Sequence, residues 1–188
     1  DRLLLDPFCG SGTIPIEAAM LGKNIAPGLN RNFASEEWPR VKKEYWNNGR
    51  REAWELMLKD EKLNIIGSDI DKEAIKLARE NAESIGLEDD IIFITKDFRD
   101  FDFKDKYGVI ICNPPYGERI GEKKEVNRLY MDMGKIFQRL ETYSSYILTS
   151  NEDFERLYGK TANRKRKLYN GRIKVDYYQY YGPRPPRK

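Results

Sequence analysis

The sequence predicts an α/β domain: a mostly parallel seven-stranded sheet with helices on both faces and a C-terminal antiparallel hairpin. Three observations carry this. Short apolar runs of strand length alternate with segments whose apolar residues recur at helical spacing, the pattern of βαβ units. The first run ends in a glycine turn, Gly10-Ser11-Gly12, that leads straight into a helix. Near the other end, Asn170-Gly171 separates two strand-like segments, a strong hairpin signal.

Taken in order, Leu3-Leu4-Leu5 is too short for a helix and suits a strand buried on both faces, closed by Asp6 and Pro7. Thr13 to Leu21 reads as a helix, with Pro15 tolerated in the first turn and Gly22 as its cap. An aromatic, basic insertion at about 24–60 follows. Ser35 is expected to cap a helix carrying Trp38, Val41, Tyr45 and Trp46, and Asn47-Asn48-Gly49 to break it. Ala53, Trp54, Met57 and Leu58 then suit a second short helix, the tryptophans of the pair filling a satellite core.

Leu63 to Asp69 is a second strand, and Asp71 to Gly86 a helix capped by Asp71 with Ala74, Ile75, Ala78, Ala82 and Ile85 on one face. Ile91 to Thr95 and Tyr107 to Cys112 are strands three and four. Val126 to Leu140 should be helical, striped by Leu129, Met133, Ile136, Phe137 and Leu140. Ser145 to Thr149 is a fifth strand, Glu152 to Tyr158 a short helix, and Lys165–Tyr169 with Arg172–Tyr180 the hairpin. The proline-rich tail, Gly182 to Lys188, should be extended. Without repeats or an internal boundary, 1–188 reads as one domain; a core strand so soon after Asp1-Arg2 suggests a piece of a longer protein.

Charged residues make up 35% of the 188, yet net charge is only +3. Its distribution is more telling. Between Lys160 and Lys188, ten Lys or Arg face Asp176 alone, so this end carries +9 and the rest −6. With no His and two unpatterned Cys, neither a metal set nor a disulfide framework is expected, and a reducing, cytoplasmic setting is. No apolar run approaches the roughly 18 residues of a membrane span, and no signal peptide is visible, so a membrane partner is not expected.

The chemistry collects where strands end. Asp6-Pro7-Phe8-Cys9-Gly10-Ser11-Gly12-Thr13 lacks the Gly-Lys-Ser/Thr of a P-loop and the third glycine of a dinucleotide fingerprint. Taken whole, it resembles the first motif of class I S-adenosylmethionine-dependent methyltransferases acting on amino groups. That resemblance implies a Rossmann-like fold and an S-adenosyl-L-methionine site, with S-adenosyl-L-homocysteine as product and no metal. Asp6, Phe8, Gly10, Ser11, Gly12 and Thr13 would lie against the cofactor, the glycines letting the backbone approach its methionine part. Asp69 would accept from both ribose hydroxyls and Ile70 lie flat on the adenine. Asp97 would accept from the adenine amine, with Phe98 beside the ring.

Asn113-Pro114-Pro115-Tyr116, at the end of the fourth strand, resembles the catalytic motif of methyltransferases that modify an exocyclic or amide nitrogen. Such a nitrogen has its lone pair spread into a conjugated system. Accepting its two N–H bonds, on the Asn113 amide oxygen and the Pro114 carbonyl, would aim the lone pair at the methyl group without a strong base. Asn113 would also border the cofactor. Pro115 stiffens the loop, and Tyr116 offers a face for a base pulled from its stack.

Adding Ile16-Glu17-Ala18-Ala19, Ala26-Pro27-Gly28-Leu29-Asn30-Arg31, Gly117-Glu118-Arg119-Ile120-Gly121, Lys165 to Arg172 and Arg184-Pro185-Pro186-Arg187 narrows the resemblance. It is then to RNA methyltransferases whose catalytic domain follows a THUMP RNA-binding domain, similar to the bacterial 23S ribosomal RNA (guanine-N2)-methyltransferases. The resemblance implies RNA as partner, rRNA foremost, touched by hairpin 160–188 and insertion 24–60, and an upstream THUMP-type region lying outside this sequence. Adenine N6 in RNA or DNA, guanine N2 in tRNA and protein glutamine share the tetrad pattern, and a platform that binds RNA without modifying it is the reading of another class.

Overall fold

A computed structural model describes residues 2–117 and 122–186. Its elements are β1 (Leu4–Asp6), α1 (Thr13–Gly22), α2 (Lys43–Glu55), β2 (Ile65–Asp69), α3 (Lys72–Glu83), β3 (Ile92–Thr95), β4 (Val109–Cys112), α4 (Glu122–Phe137), β5 (Ser144–Thr149), α5 (Phe154–Tyr158), β6 (Arg164–Asn170) and β7 (Ile173–Tyr180). They form one seven-stranded sheet in the order β3-β2-β1-β4-β5-β7-β6. The first five strands pair in parallel and β7 pairs antiparallel with β5 on one side and β6 on the other, so the expected architecture stands.

Two apolar clusters explain why helices flank both faces. On one side Ala19 of α1 and Ile75, Ala78 and Ala82 of α3 pack with Ile65, Leu87 and Phe93. On the other, Tyr130, Met133 and Phe137 of α4 join Phe154 and Tyr158 of α5 against Leu5, Ile110, Ile147 and Tyr178. Phe154 is the centre of this second core, 5.0 Å from the Tyr130 ring and 4.8 Å from Tyr178. Rings at such spacings add to the stabilisation their buried area supplies.

Reversal of strand order sets the site. β1 feeds β2 on one flank while β4 returns to its other flank, and ligands bind in the crevice beyond such a switch point. The hairpin adds a second feature at the same edge. Thr149, the last residue of β5, pairs with Asp176, so β7 residues 173–175 and their β6 partners overhang the carboxyl ends of the parallel strands. Its turn is Gly171-Arg172, one residue later than expected, because Asn170 pairs with Ile173; Gly171 takes the left-handed φ of 61° that the first position of a two-residue turn requires.

The insertion departs most from expectation. Ala34–Glu37 is a single 3-10 turn, and one helix runs unbroken through Asn47-Asn48-Gly49 where a break was expected. An interior glycine costs only about 1 kcal/mol relative to alanine. Local anchors offset it: Arg51 donates to Asn48 Oδ1 at 3.1 Å, and Arg50 forms an ion pair with Glu36 and donates to the Arg31 carbonyl at 3.0 Å. Trp38 and Trp54 are exposed, so the satellite core reduces to Trp46 stacked on Phe33 at 5.6 Å. The far end of the insertion ties back to its start just after α1, through Leu58 N–H to Lys23 O and Asn24 Nδ2 to Leu56 O. An apolar cleft of about 420 Å³ opens within it, between Phe33, Trp46 and Val41.

Helix α4 starts four residues before the expected Val126 and stops at Phe137 rather than Leu140. Its first turn is polar, invisible to an apolar stripe. Of the motif Gly117 to Gly121, residues 118–121 lie outside the described residues, as do Asp1 and the last two residues of the tail. Among the described residues, no helix is long and apolar enough to cross a membrane.

Candidate active site

The turn after β1 is built by two left-handed glycines, Gly10 (φ 52°) and Gly12 (φ 85°). They differ in their surroundings. A Cβ on Gly12 would sit 3.0 Å from both Ala78 Cβ and the Phe93 ring, so Gly12 is what lets α1 close on α3 and β3. A Cβ on Gly10 would meet nothing within 4 Å, which leaves open space over the turn where a ligand backbone can approach.

Asp69, ending β2, braces that turn. Its Oδ2 accepts from Gly10 N–H and its Oδ1 from Asp71 N–H, each at 3.0 Å. A carboxylate offers about four lone-pair sites, so acceptor capacity for a diol remains. Ile70 beside it is 72% exposed, an apolar side chain held out of the core at the rim. Asp97, after β3, caps a 3-10 turn by accepting from Arg99 N–H at 2.9 Å, and its other oxygen pairs with the Arg99 guanidinium at 2.9 Å. Arg99 is shared with Asp132 at 3.0 Å and lies over the Phe98 ring, 4.8 Å from its centroid.

These groups meet. A cleft of about 330 Å³ is lined by Pro7, Phe8, Asp69, Ile70, Asp97, Phe98, Arg99, Asn113, Pro115 and Leu129. That volume lies in the ordinary range of small-molecule sites. Phe8 and Phe98 pack at 5.2 Å with planes tilted by 50°, giving the floor an aromatic corner. The expected residues Asp6, Gly10, Ser11, Gly12, Thr13, Pro114 and Tyr116 do not line it. Ser11 accepts, through its carbonyl, from Asn81 Nδ2 at 3.0 Å, and Thr13 is an exposed first residue of α1.

Asp6 lies beneath the turn instead. It is 1% exposed and accepts from Phe8 N–H at 3.1 Å. Burial raises its pKa from 3.8 to about 7; the Phe8 bond opposes the rise and the nearby Asp69 carboxylate adds to it. The same burial pushes the Cys9 thiol up to about 12 and Cys112 well above its ordinary value, with Asp6 adding to both. Both cysteines are free thiols.

The tetrad follows β4. Asn113 is exposed, Pro114 buried, Pro115 exposed and Tyr116 half-buried. Tyr116 Oη donates to Asn113 Oδ1 at 2.6 Å, so the amide oxygen expected to hold an acceptor nitrogen has one lone pair engaged by the tetrad itself. Tyr116 also faces a second, polar cleft of about 430 Å³, shared with Gly117, Lys123 and residues Ser150 to Asp153 of the turn after β5. The tetrad thus divides two clefts, one holding the strand-end carboxylates and one walled by the turn after β5. The hairpin reaches this second cleft through Lys174, which pairs with Glu152 at 3.5 Å.

Sequence reading missed Arg99, Leu129 and the turn after β5. Arg99 follows Asp97 and Phe98 directly, so its position was a usable signal. Leu129 looked like core stripe, and nothing local to Ser150–Asp153 marks it as a cleft wall.

The family model of the RMKL-like methyltransferase domain (UPF0020) matches residues 1–179. The Bacillus subtilis protein named "Putative RNA methyltransferase YpsC" is 54% identical over 189 residues, covering 100% of this chain and 49% of its own. Ribosomal RNA large subunit methyltransferase K/L of Legionella pneumophila is 38% identical over 177 residues, 93% of this chain and 25% of its own. The crystal structure described as "SMU.472, a putative methyltransferase complexed with SAH" superposes with a TM-score of 0.94 at 49% identity, covering 99% of this chain and 49% of that one. The chain spans about half the length of the first relative and a quarter of the second. Fold, first motif and tetrad converge on one family, and the chain belongs to the RMKL-like methyltransferase domain family.

Proposed function

We propose that this domain transfers a methyl group from S-adenosylmethionine to an exocyclic amine of a base in RNA, guanine N2 of large-subunit rRNA being the acceptor favoured. The observation that carries the reading is the placement of Asn113-Pro114-Pro115-Tyr116 between a cleft rimmed by Asp69, Ile70, Asp97 and Phe98 and a second cleft whose wall residue Glu152 pairs with Lys174 of the basic hairpin. The residues present fit the cofactor. The first cleft has the size, two carboxylates to receive a ribose and an amine, and an exposed isoleucine and a phenylalanine for an adenine; the turn bonded to Asp69, outside the cleft lining, has open space over Gly10 for the amino-acid part. When bound, the cofactor supplies an electrophilic methyl group on a sulfonium.

The protein's own residues then position and polarise. Asn113 Oδ1 keeps a second lone pair for an incoming N–H, and that bond holds the nitrogen lone pair toward the cofactor cleft. Tyr116 borders the second cleft and gives an extruded base a ring to rest against. Arg172 and Lys174, on the overhanging hairpin, and Lys123 on the cleft wall suit phosphate contacts, which position RNA without specifying its sequence. The far end of the insertion ties back to its start just after α1, so the hairpin is the contact its location favours more. The RNA methyltransferase names of the relatives support RNA over DNA or protein, and the family resemblance supports guanine.

The test is transfer of a labelled methyl group from S-adenosylmethionine to total RNA, DNA and protein from cells lacking the gene, followed by nucleoside analysis. N2-methylguanosine in RNA is the expected product. Label in adenine, in DNA or in protein would replace the acceptor assignment, and no label in any would refute the activity.

A further inference from the structure

Tyr130 is, with Tyr178, one of the two largest wholly buried side chains among the described residues, and its hydroxyl has a use its ring does not require. Tyr130 Oη donates to the Pro115 carbonyl at 2.7 Å and lies 2.8 Å from Thr149 Oγ1, which accepts from Asn151 N–H at 3.1 Å. A phenol has one proton. With it committed to Pro115, the Thr149 hydroxyl must donate to Tyr130, and Thr149 must then accept from Asn151. Each donor and acceptor of the chain is used once, in one direction, from the turn after β5 to the tetrad. Its central bond is buried and its two outer bonds part-buried, a setting where satisfied hydrogen bonds strengthen one another and a missing one leaves its neighbours unpaired.

Its two ends adjoin the two walls of the second cleft: Pro115 directly precedes Tyr116 and Gly117 on one side, and Asn151 lies within Ser150–Asp153 on the other. It also decides between the two proline carbonyls of the tetrad, since Pro115's is turned inward to Tyr130. We infer that Tyr130 is a positioning residue for methyl transfer: through Thr149 it locks the tetrad loop to the turn after β5 and so fixes the geometry in which the acceptor base meets Asn113. This rests on the acceptor reading above. The phenol stays protonated throughout the working range, since burial raises its pKa to about 12. The ring is held independently by its edge-on contact with Phe154, 5.0 Å between centroids, so Tyr130→Phe removes the relay and keeps the packing.

Small displacements at a reacting centre cost on the order of 10²-fold in rate. Tyr130→Phe should therefore lower kcat by about 10–100-fold while leaving S-adenosylmethionine affinity unchanged, because the carboxylates of the first cleft are untouched. Thr149→Val should reproduce this loss and Thr149→Ser, which keeps the hydroxyl, should restore most of the rate. Hydrogen exchange followed by mass spectrometry gives a readout that needs no substrate. Amides of Tyr116, Gly117 and Asn151 should exchange faster in Tyr130→Phe and Thr149→Val and at the native rate in Thr149→Ser. Native exchange at those amides in both relay-breaking variants overturns the inference, as does native kcat with RNA. If the unsubstituted protein methylates no RNA, the acceptor reading falls, and the exchange data alone decide whether Tyr130 sets the loop. If Tyr130→Phe does not fold, the Thr149 pair carries the same decision.

Discussion

Asp6→Asn tests the electrostatics of the central strand end. In the unfolded chain the Asp6 carboxyl titrates near 3.8, while in the folded protein burial holds it at about 7. Below about pH 4 both states carry the proton and Asp6 has no effect on stability. As pH rises from there to about 7, the unfolded state gives up a proton that the folded state keeps, so stability falls. Above the folded value the penalty is complete and constant. The gap from 3.8 to about 7, at roughly 1.4 kcal/mol per tenfold, sets a ceiling of about 4 kcal/mol. Asparagine removes the ionisation and keeps an oxygen for Phe8 N–H, now 3.1 Å from Asp6 Oδ1. Its amide N–H groups, buried where the carboxyl was, cost about 1–3 kcal/mol at every pH if unpaired. The absolute change therefore depends on pH: Asp6→Asn should be neutral or destabilising in acid and should gain on the parent by about 2–4 kcal/mol across the window. Cys9 and Cys112 do not blur the result, because burial raises both thiols far above it. Urea unfolding at a series of pH values, with the slope m checked for constancy, measures the difference. Parallel stability curves for the two proteins would refute the assignment of a buried, proton-holding Asp6.

Three further outcomes are expected. Asp69→Ala removes a carboxylate bonded to Gly10 N–H and Asp71 N–H, and calorimetry should show S-adenosylmethionine binding weakened by about 1.5–3 kcal/mol, roughly 10- to 150-fold; unchanged affinity would remove Asp69 from the cofactor site. Asn113→Ala should leave that affinity nearly intact and abolish methyl transfer, whereas equal loss of both would make the tetrad a structural loop. Thiol titration should find Cys9 and Cys112 unreactive in the native protein and both titratable once unfolded without reductant, and fewer than two thiols would contradict the free, buried state.

The sheet was legible because each of its signals is local. Leu3-Leu4-Leu5 can only be a short buried strand, Asp71 caps α3 through its bond to Glu73 N–H at 2.9 Å, and Asn170-Gly171 places the hairpin within one residue. The insertion was less legible because its outcome depends on tertiary anchors. Asn47-Asn48-Gly49 has poor helix propensity, and the ion pair from Arg50 to Glu36, fourteen residues back, is not a pattern a window of sequence reveals. The site divides the same way. That Asp69, Asp97 and Asn113 border one cleft was legible because strand ends announce them, while the relay from Asn151 through Thr149 and Tyr130 to Pro115 joins three elements. Tyr130 in particular sits beside the apolar stripe of α4, and only its partners distinguish it from any other core aromatic.

The strand-end groups share a property that bears on affinity. Asp69 is bonded to Gly10 and Asp71, Asp97 to Arg99, and Asn113 to Tyr116, each by a contact of 2.6–3.0 Å. An acceptor with no protein partner would swing in water and would have to be ordered by its ligand. Here the oxygens are fixed by bonds to backbone or neighbouring side chains and keep lone pairs in reserve. A ligand that uses those lone pairs adds bonds without ordering the groups that make them, which is the condition under which modest contacts yield useful affinity. The bond from Asp69 to Gly10 goes further, because it joins the acceptor proposed for the ribose to the turn proposed for the amino-acid part. Loss of either partner should disturb both ends of the cofactor. Gly10, with open space above it and outside the cleft lining, is therefore tied by a single hydrogen bond to a carboxylate that the cleft does contain.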